Sequence, residues 1–377
     1  MVTKFVPFPD NDGGKQRALA VATRLAHGAD VVLCAYDDGD GDVAGLKRLG
    51  IDVRSVPWRP TPSSTARGVL RTRSASAGRF FSLELVDEVQ RAASEGPVDV
   101  LQVEYLQMVP LSRDVPAARR ILDLHNVESA LVRSYARLGR GPKGVLAHAE
   151  AAALGAMERA LVPSFDTVIV VSERERHRLP AGVRNVLVCP NGKDPDPAGP
   201  LPPAPTPTAA FVATMGWAPN VDAALWFAHE VWPEVHRRSS DARLLLVGRE
   251  PTASVRALAS SSVEVSGTVS DVRPYLAQAR VAVAPLRSGG GTRLKILEAL
   301  DAGRPVVATS VAVDGLEDLI GEGVVVADDP RSMIDAVSDL LNDADRAAAL
   351  GRAGHDAVTA RHTWDVALAP LLQSVAP

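Results

Sequence analysis

The stretch Gly289-Gly290-Gly291-Thr292-Arg293-Leu294-Lys295-Ile296-Leu297-Glu298 has the residue types and spacing to do the most specific chemistry in this sequence. The apolar run Val281 to Ala284 before it reads as a buried strand, and Thr292 suits the cap of a helix ending near Ala302, before Gly303 and Pro305. Arg293 and Lys295 then fall in the first turn, where free amides and the macrodipole are already electropositive. Each cation there costs about 0.3–1 kcal/mol unless an anion sits with it. A diphosphate reverses that sign, and the glycines let the backbone approach it closely. Glu298 projects from the same helix between Lys295 and Asp301, away from Ile296, Leu297 and Leu300. Its carboxylate can accept two hydrogen bonds from a sugar diol such as the ribose 2′ and 3′ hydroxyls. The same residues also fit a solvated helix face, on which Lys295 and Glu298 form an i,i+3 pair worth roughly a few tenths of a kcal/mol.

The elements that must position this stretch can be followed along the chain. Between Asp194 and Ala209 run Pro195, Pro197, Pro200, Pro202, Pro203, Pro205 and Pro207, a composition that forms neither helix nor central strand and reads as a linker. Before it, apolar runs at 4–6, 30–35, 51–56, 98–103, 120–124, 166–171 and 185–188 alternate with Ala-, Leu- and Arg-rich helical patterns. After it, runs at 210–214, 243–247, 263–266, 281–284, 305–309 and 324–327 do the same. Both halves therefore read as α/β domains with doubly wound parallel sheets, which bind ligands at the carboxyl ends of their strands. Gly13-Gly14, Asp123-Leu124-His125-Asn126, Met215-Gly216-Trp217 and Gly248-Arg249 all follow strands, as the Gly289 loop does, so several loops share one kind of edge.

With 377 residues, two domains are the natural expectation. A net charge of −4 argues against general nucleic-acid binding. Cys34 and Cys189 each close an apolar run and read as reduced core thiols, with neither a disulfide framework nor a Cys-rich metal site. Lys4, Asp10, Asp12 and Gly13 arrive before any long apolar run, so no signal peptide is expected. No uncharged apolar stretch approaches a membrane span. A cytoplasmic enzyme is the expectation, with peripheral contact at the inner face of a membrane as an option left open.

The eight histidines show no metal-ligand spacing, and no Ser-His-Asp or paired-carboxylate motif is apparent. His125 fits either a core histidine bonded to backbone or a functional one. Asp123 and Glu104 end strands, where they could orient His125 or an acceptor hydroxyl, or cap a helix. Ser172-Glu173-Arg174-Glu175 reads as a capping box, and Trp226, Phe227 and Trp232 as packing. From Arg54 to Arg79 six arginines, including Arg67, Arg71 and Arg73, occur without an acid. The Pro-, Ser- and Thr-rich interior predicts a long loop, either solvated or bound to an anionic acceptor or lipid surface.

Taken together these residues resemble a glycosyltransferase of the GT-B fold, of the retaining family-4 type, also called group 1. The resemblance spans almost the whole chain. It rests on Gly13-Gly14, Asp123-Leu124-His125-Asn126-Val127-Glu128, Pro190-Asn191-Gly192-Lys193-Asp194, Met215-Gly216-Trp217-Ala218-Pro219-Asn220 and above all Gly289 through Thr309. His362-Thr363-Trp364-Asp365 and the apolar residues after it are similar to the helix that crosses back onto the first domain in this fold.

The resemblance implies two Rossmann-like domains facing across a cleft. Residues 1–192 would bind the acceptor, 193–208 would link, 209–360 would bind the nucleotide sugar, and 361–377 would form the returning helix. It implies Arg293, Lys295 and the loop Gly289, Gly290, Gly291 and Thr292 on the diphosphate, with Gly13, Gly14, Gly216, Trp217 and Arg249 also on the donor side. Glu298 would hold the ribose, and His125 would lie near the donor sugar. Glu104, Tyr105, Arg67 and Arg71 are the acceptor-side candidates. The implied reaction is sugar transfer to a hydroxyl with retention, without metal or cofactor beyond the nucleotide-diphosphate sugar as co-substrate. The acceptor would be a glycan, a lipid-linked sugar or a small molecule, with no nucleic-acid partner.

Two departures stand out. Gly290 occupies the place where many relatives carry a second glutamate, and Trp217 and Asn220 stand where an arginine and a lysine are typical, so Arg293 and Lys295 are expected to assume that role. A sugar-nucleotide epimerase of the same fold and a catalytically silent binding protein are the alternatives.

Overall fold

The computed structural model describes residues 1–136 and 142–375. It divides into two compact units, one of Met1–Pro190 with Leu368 onward, the other of Asn191–Ala367.

The first unit is built on seven parallel strands: β1 (Val2–Phe5), β2 (Val31–Asp37), β3 (Ile51–Pro57), β4 (Val100–Glu104), β5 (Arg119–Leu124), β6 (Thr167–Val170) and β7 (Val186–Val188). Their spatial order is β3-β2-β1-β4-β5-β6-β7. The second unit has β8 (Thr208–Val212), β9 (Arg243–Val247), β10 (Val263–Gly267), β11 (Val281–Ala284), β12 (Val306–Ala308) and β13 (Val324–Val326), ordered β10-β9-β8-β11-β12-β13. Every expected strand is present, and both sheets are parallel throughout. Buried on both faces, strands such as Thr167–Val170 and Val281–Ala284 read as unbroken apolar runs rather than alternating ones.

In each sheet the strand order reverses once, and that reversal is where an open parallel sheet leaves a crevice at its carboxyl edge. The first reversal lies between β1 and β4, so the loops after Phe5 and Glu104 flank it. The second lies between β8 and β11, flanked by the Met215 and Gly289 loops.

The stretch from Arg54 to Arg79, expected as a long loop, is ordered instead. Arg54 lies in β3, and two helices follow, Pro62–Thr72 and Ala75–Arg79. The reason is local: Thr61 and Ser64 form a reciprocal capping box with Pro62 at the first helical position, which starts a helix despite the Ser/Thr content. Gly68 and Gly78 then let the two helices touch, since a Cβ at Gly68 would lie 2.0 Å from the Gly78 carbonyl oxygen.

The proline-rich segment lies along the second unit. Leu201 N–H donates to the Ala302 carbonyl (3.1 Å), Arg304 to that of Pro202 (2.6 Å), and Arg280 to that of Pro205 (2.6 Å). Because prolines donate no N–H, these arginine donors to their carbonyls are the natural way to fix such a chain. The helix Trp364–Val375 begins in the second unit, while its residues from Leu368 onward belong to the first.

Candidate active site

At the carboxyl edge of the second sheet the Gly289 loop is shaped around one guanidinium. Gly289 (φ 129°) and Gly291 (φ 76°) adopt backbone angles that favour glycine, and a Cβ at Gly289 would sit 2.3 Å from Arg293 Nη2. Arg293 in turn donates to the Gly290 carbonyl. The helix begins at Leu294 and ends at Asp301, one residue before the expected Ala302. Thr292 is not its cap. The chain stays extended through Arg293, which occupies the cap position without a side-chain bond, so Thr292 lies too far out to reach the first amides. Thr292 is buried, and its carbonyl accepts from Asn191 Nδ2 at 2.9 Å.

Lys295 follows in the first turn, half-buried, with Nζ donating to Asn220 Oδ1 at 2.8 Å and lying 4.9 Å from the Phe211 ring centre. Asn220 is itself fixed by donating to the Thr214 carbonyl (2.9 Å), so the residue standing where a lysine is typical serves as the lysine's support. Burial, and secondarily the Arg293 charge, lower the Lys295 pKa to about 7. Glu298 and Lys295 border a crevice of about 10 Å³ with Ala210, Val212 and Val283. That is room for one water.

The neighbouring loops share this edge. A Cβ at Gly248 would lie 1.8 Å from the Ala213 carbonyl oxygen, so glycine is required where the β8 and β9 loops meet. Met215 N–H bonds the Arg249 carbonyl (2.8 Å), Gly216 packs on Glu250, and Trp217 is 42% exposed.

In the first unit the carboxyl edge carries a buried polar cluster. Asp12 caps the helix Gly13–Ala26, accepting from the amides of Gly14 and Lys15 at 2.9 Å each. Gly14 leaves space for Tyr105, whose hydroxyl would be 2.2 Å from a Cβ there. Tyr105 has φ 73°, a strained angle for a non-glycine residue, and its ring lies 3.8 Å from that of His125, tilted 32°. Lys4 Nζ sits 3.9 Å from the other ring partner's centre, that of Tyr105. His125 Nε2 is 2.7 Å from Glu104 Oε2, and Gln102 donates to Glu104 Oε1 at 2.9 Å.

Asp123 has a different task. Arg17 grips it with Nε and Nη2 at 3.0 and 2.9 Å from Oδ2, and Nη1 reaches the Pro190 carbonyl. Burial dominates the electrostatics here. It lowers the His125 pKa to about 3 against the pull of Asp123, and raises Glu104 to about 7 and Asp123 to about 6. The imidazole is thus neutral, with Nε2 committed to Glu104. Glu104, Asp123 and His125 offer ligand atoms within 4.8 Å of one another. Those atoms are engaged by Gln102, Arg17 and each other, so a cation would have to displace the Arg17 guanidinium first.

The sequence reading missed Arg17, the largest buried polar side chain of its helix; an arginine amid Ala18, Ala20 and Val21 was its only signal. Ser172 caps its helix by accepting from Glu175 N–H, and what the sequence did not reveal is the use of the Glu175 carboxylate, which accepts from Val127 N–H at 2.5 Å and so fixes the segment after His125. Trp226, Phe227 and Trp232 are packing, as expected, and both cysteines are buried thiols. Among the described residues Arg67 and Arg71 touch none of Glu104, Tyr105 and His125; they lie exposed on the Pro62–Thr72 helix beside Leu70, which is 81% exposed.

Comparison with known proteins assigns both units. Residues 12–192 match the family described as "Glycosyl transferase 4-like domain", and residues 206–343 match "Glycosyl transferases group 1". The chain belongs to the group 1 glycosyltransferases. Its fold is GT-B: sucrose-phosphate synthase from Thermosynechococcus elongatus superposes with a TM-score of 0.74 at 18% identity, over 99% of this chain and 97% of that one. Anabaena HepE in complex with UDP and glucose superposes with a TM-score of 0.64 at 13% identity, over 99% and 98%. In sequence, this glycosyltransferase is 35% identical over 159 residues to the GDP-mannose-dependent alpha-(1-6)-phosphatidylinositol monomannoside mannosyltransferase of Mycobacterium tuberculosis. That match spans 37% of this chain and 40% of the relative. Among the described residues, no helix is long and apolar enough to cross a membrane.

Proposed function

We propose that this glycosyltransferase moves a sugar from a nucleotide-diphosphate donor to an acceptor hydroxyl with retention of anomeric configuration and without a metal. The observation that carries the reading is the Gly289 loop, where Arg293 and Lys295 stand together at a sheet reversal with Lys295 tied to an amide rather than a carboxylate. Two cations and the free amides of the Leu294 helix would take the charge of a departing diphosphate, the task a metal performs elsewhere. Glu298 would hold the ribose. The neutral His125, oriented by Glu104, would present Nδ1 to the donor sugar. The mycobacterial relative makes GDP-mannose the first donor to test and a lipid-linked mannoside the first acceptor. The experiment is a transfer assay with GDP-mannose and a panel of other sugar nucleotides, run in chelator, with the product's anomeric configuration read by NMR. Turnover should survive the chelator and the product should keep the donor's α configuration. Activity that requires added Mg²⁺ or Mn²⁺, or an inverted product, would overturn this mechanism, and conversion of the sugar nucleotide without any acceptor would indicate an epimerase.

A lipid-linked acceptor also gives a use for the Pro62–Thr72 helix, which presents Arg67 and Arg71 with Leu70 to solvent, and Arg73 at its end. At an anionic membrane each such cation contributes about 1 kcal/mol. Reversing Arg67, Arg71 and Arg73 to Glu should therefore lower partitioning onto phosphatidylserine-containing vesicles by well over tenfold while sparing nucleotide binding. Equal sedimentation of wild type and variant with the vesicles would return this helix to the status of a solvated face.

A further inference from the structure

The second unit has a cavity of about 250 Å³ at the edge of its sheet opposite the Gly289 loop. Its walls are the prolines and alanine of 200–204, the turn Gly303-Arg304-Pro305, Arg280, and Ala344, Ala347 and Arg352 from the helix Ala344–Arg361. Arg280 directly precedes β11, and Arg304 and Pro305 precede β12, so the cavity opens at the amino ends of the strands. The loops assigned to the donor lie at the carboxyl ends.

Three arginines line it and no acid does. Arg304 is only 2% exposed; its Nη2 donates to the Pro202 carbonyl at 2.6 Å, while its Nε is buried without a hydrogen-bond partner. Burial, and after it the charge of another cation, Arg273, hold the Arg304 pKa down to about 10. Arg280 spends its donors on the carbonyls of Ala204, Pro205 and Leu341. Among the described residues none of Arg280, Arg304 and Arg352 has a carboxylate within ion-pair distance. A buried guanidinium with an idle N–H and no counter-charge is costly to keep, and the group that relieves both deficits is an oxyanion, whose geometry matches the guanidinium fork.

The walls are preformed. A Cβ at Gly351 would lie 2.1 Å from the Gly303 carbonyl oxygen, so glycine lets the Ala344 helix press directly on the Gly303 turn, and Gly303 itself has φ 74°. The mixture of apolar walls and a few convergent cations is that of a small-molecule site.

We propose that this cavity is a second anion site, separate from the donor site, which takes a small molecule bearing a phosphate or carboxylate group held by Arg304 and Arg352, with Arg280 adding its field. Inorganic phosphate and citrate, titrated separately into the full chain by calorimetry at constant ionic strength, are the probes. At least one should bind; whichever binds more tightly gives the class of anion. Lys295→Ala should leave that binding intact. Arg352→Glu, a change at an exposed position that spares the fold, should weaken it at least tenfold, and Arg304→Gln should do the same wherever that variant remains folded. Failure of both probes to bind, or equal affinity of wild type and Arg352→Glu, would overturn the site, as would binding lost in Lys295→Ala, which would assign the anion to the Gly289 loop.

Discussion

Lys295→Ala should lower turnover on the order of 10²-fold, the usual cost of deleting one preorganised donor at a point where charge develops. Arg293→Ala should do at least as much, because the guanidinium also shapes its loop by packing on Gly289 and bonding the Gly290 carbonyl. The two effects can be told apart by pH. Free Lys295, with its pKa lowered to about 7 by burial, is only partly charged near neutrality. A diphosphate beside it favours the charged form and raises that pKa, so nucleoside diphosphate should bind with proton uptake, and more weakly at about pH 8 than at about pH 6. Calorimetry in buffers of different ionisation enthalpy reads the proton directly. Lys295→Ala should abolish the uptake, whereas wild-type affinity that is flat across this range would remove Lys295 from the diphosphate site.

The reason Lys295 could be picked out at all is that its signals are local. A lysine two residues after an arginine, behind three glycines and an apolar strand, is contiguous in sequence, and the parallel strands themselves read as apolar runs because both faces are covered. The helix start was legible only to within two residues, since Gly291 at φ 76° turns the chain and keeps Arg293 extended, a tertiary choice that Thr292's capping preference does not reveal. The support for Lys295 comes from Asn220, 75 positions away, and from the face of Phe211. Sequence marked Asn220 as a departure from the resembled pattern; only the fold showed what the departure does.

The first unit was harder to read for the same reason carried further. His125, Glu104 and Asp123 were all marked as strand-end residues, but which carboxylate serves the imidazole depends on β4 and β5 lying side by side with Glu104 opposite Asp123. A register of that kind is invisible to spacing. So is the partner of Asp123, since Arg17 is 106 positions away on a helix whose other buried residues are mostly small and apolar. The Pro62–Thr72 helix failed in the opposite way. Its composition suggested a loop, and three residues of capping chemistry decided otherwise.

This division of labour within the strand-end segment predicts that neighbouring substitutions fail in different ways. Arg17 is 1% and Asp123 0% exposed, so Asp123→Ala leaves a guanidinium buried without its counter-charge and should cost about 3–5 kcal/mol of stability. Replacing both, as Arg17→Met with Asp123→Leu, removes the stranded charge together with its partner and should recover most of that loss, because a buried ion pair is often no better than well-packed apolar residues of similar volume. Urea unfolding of the three proteins measures this directly. His125→Ala should behave in reverse, lowering turnover while moving the unfolding midpoint far less than Asp123→Ala does, since Glu104 with a pKa raised to about 7 can take up a proton when its partner is gone. The decisive protein is the double variant. If it is stable and still transfers sugar, Asp123 acts only by holding the helix Gly13–Ala26 against β5 while Glu104 orients the imidazole. If it is stable and inactive, Asp123 reaches the chemistry itself, and if it is no more stable than Asp123→Ala, the ion pair is not what holds this part of the unit together.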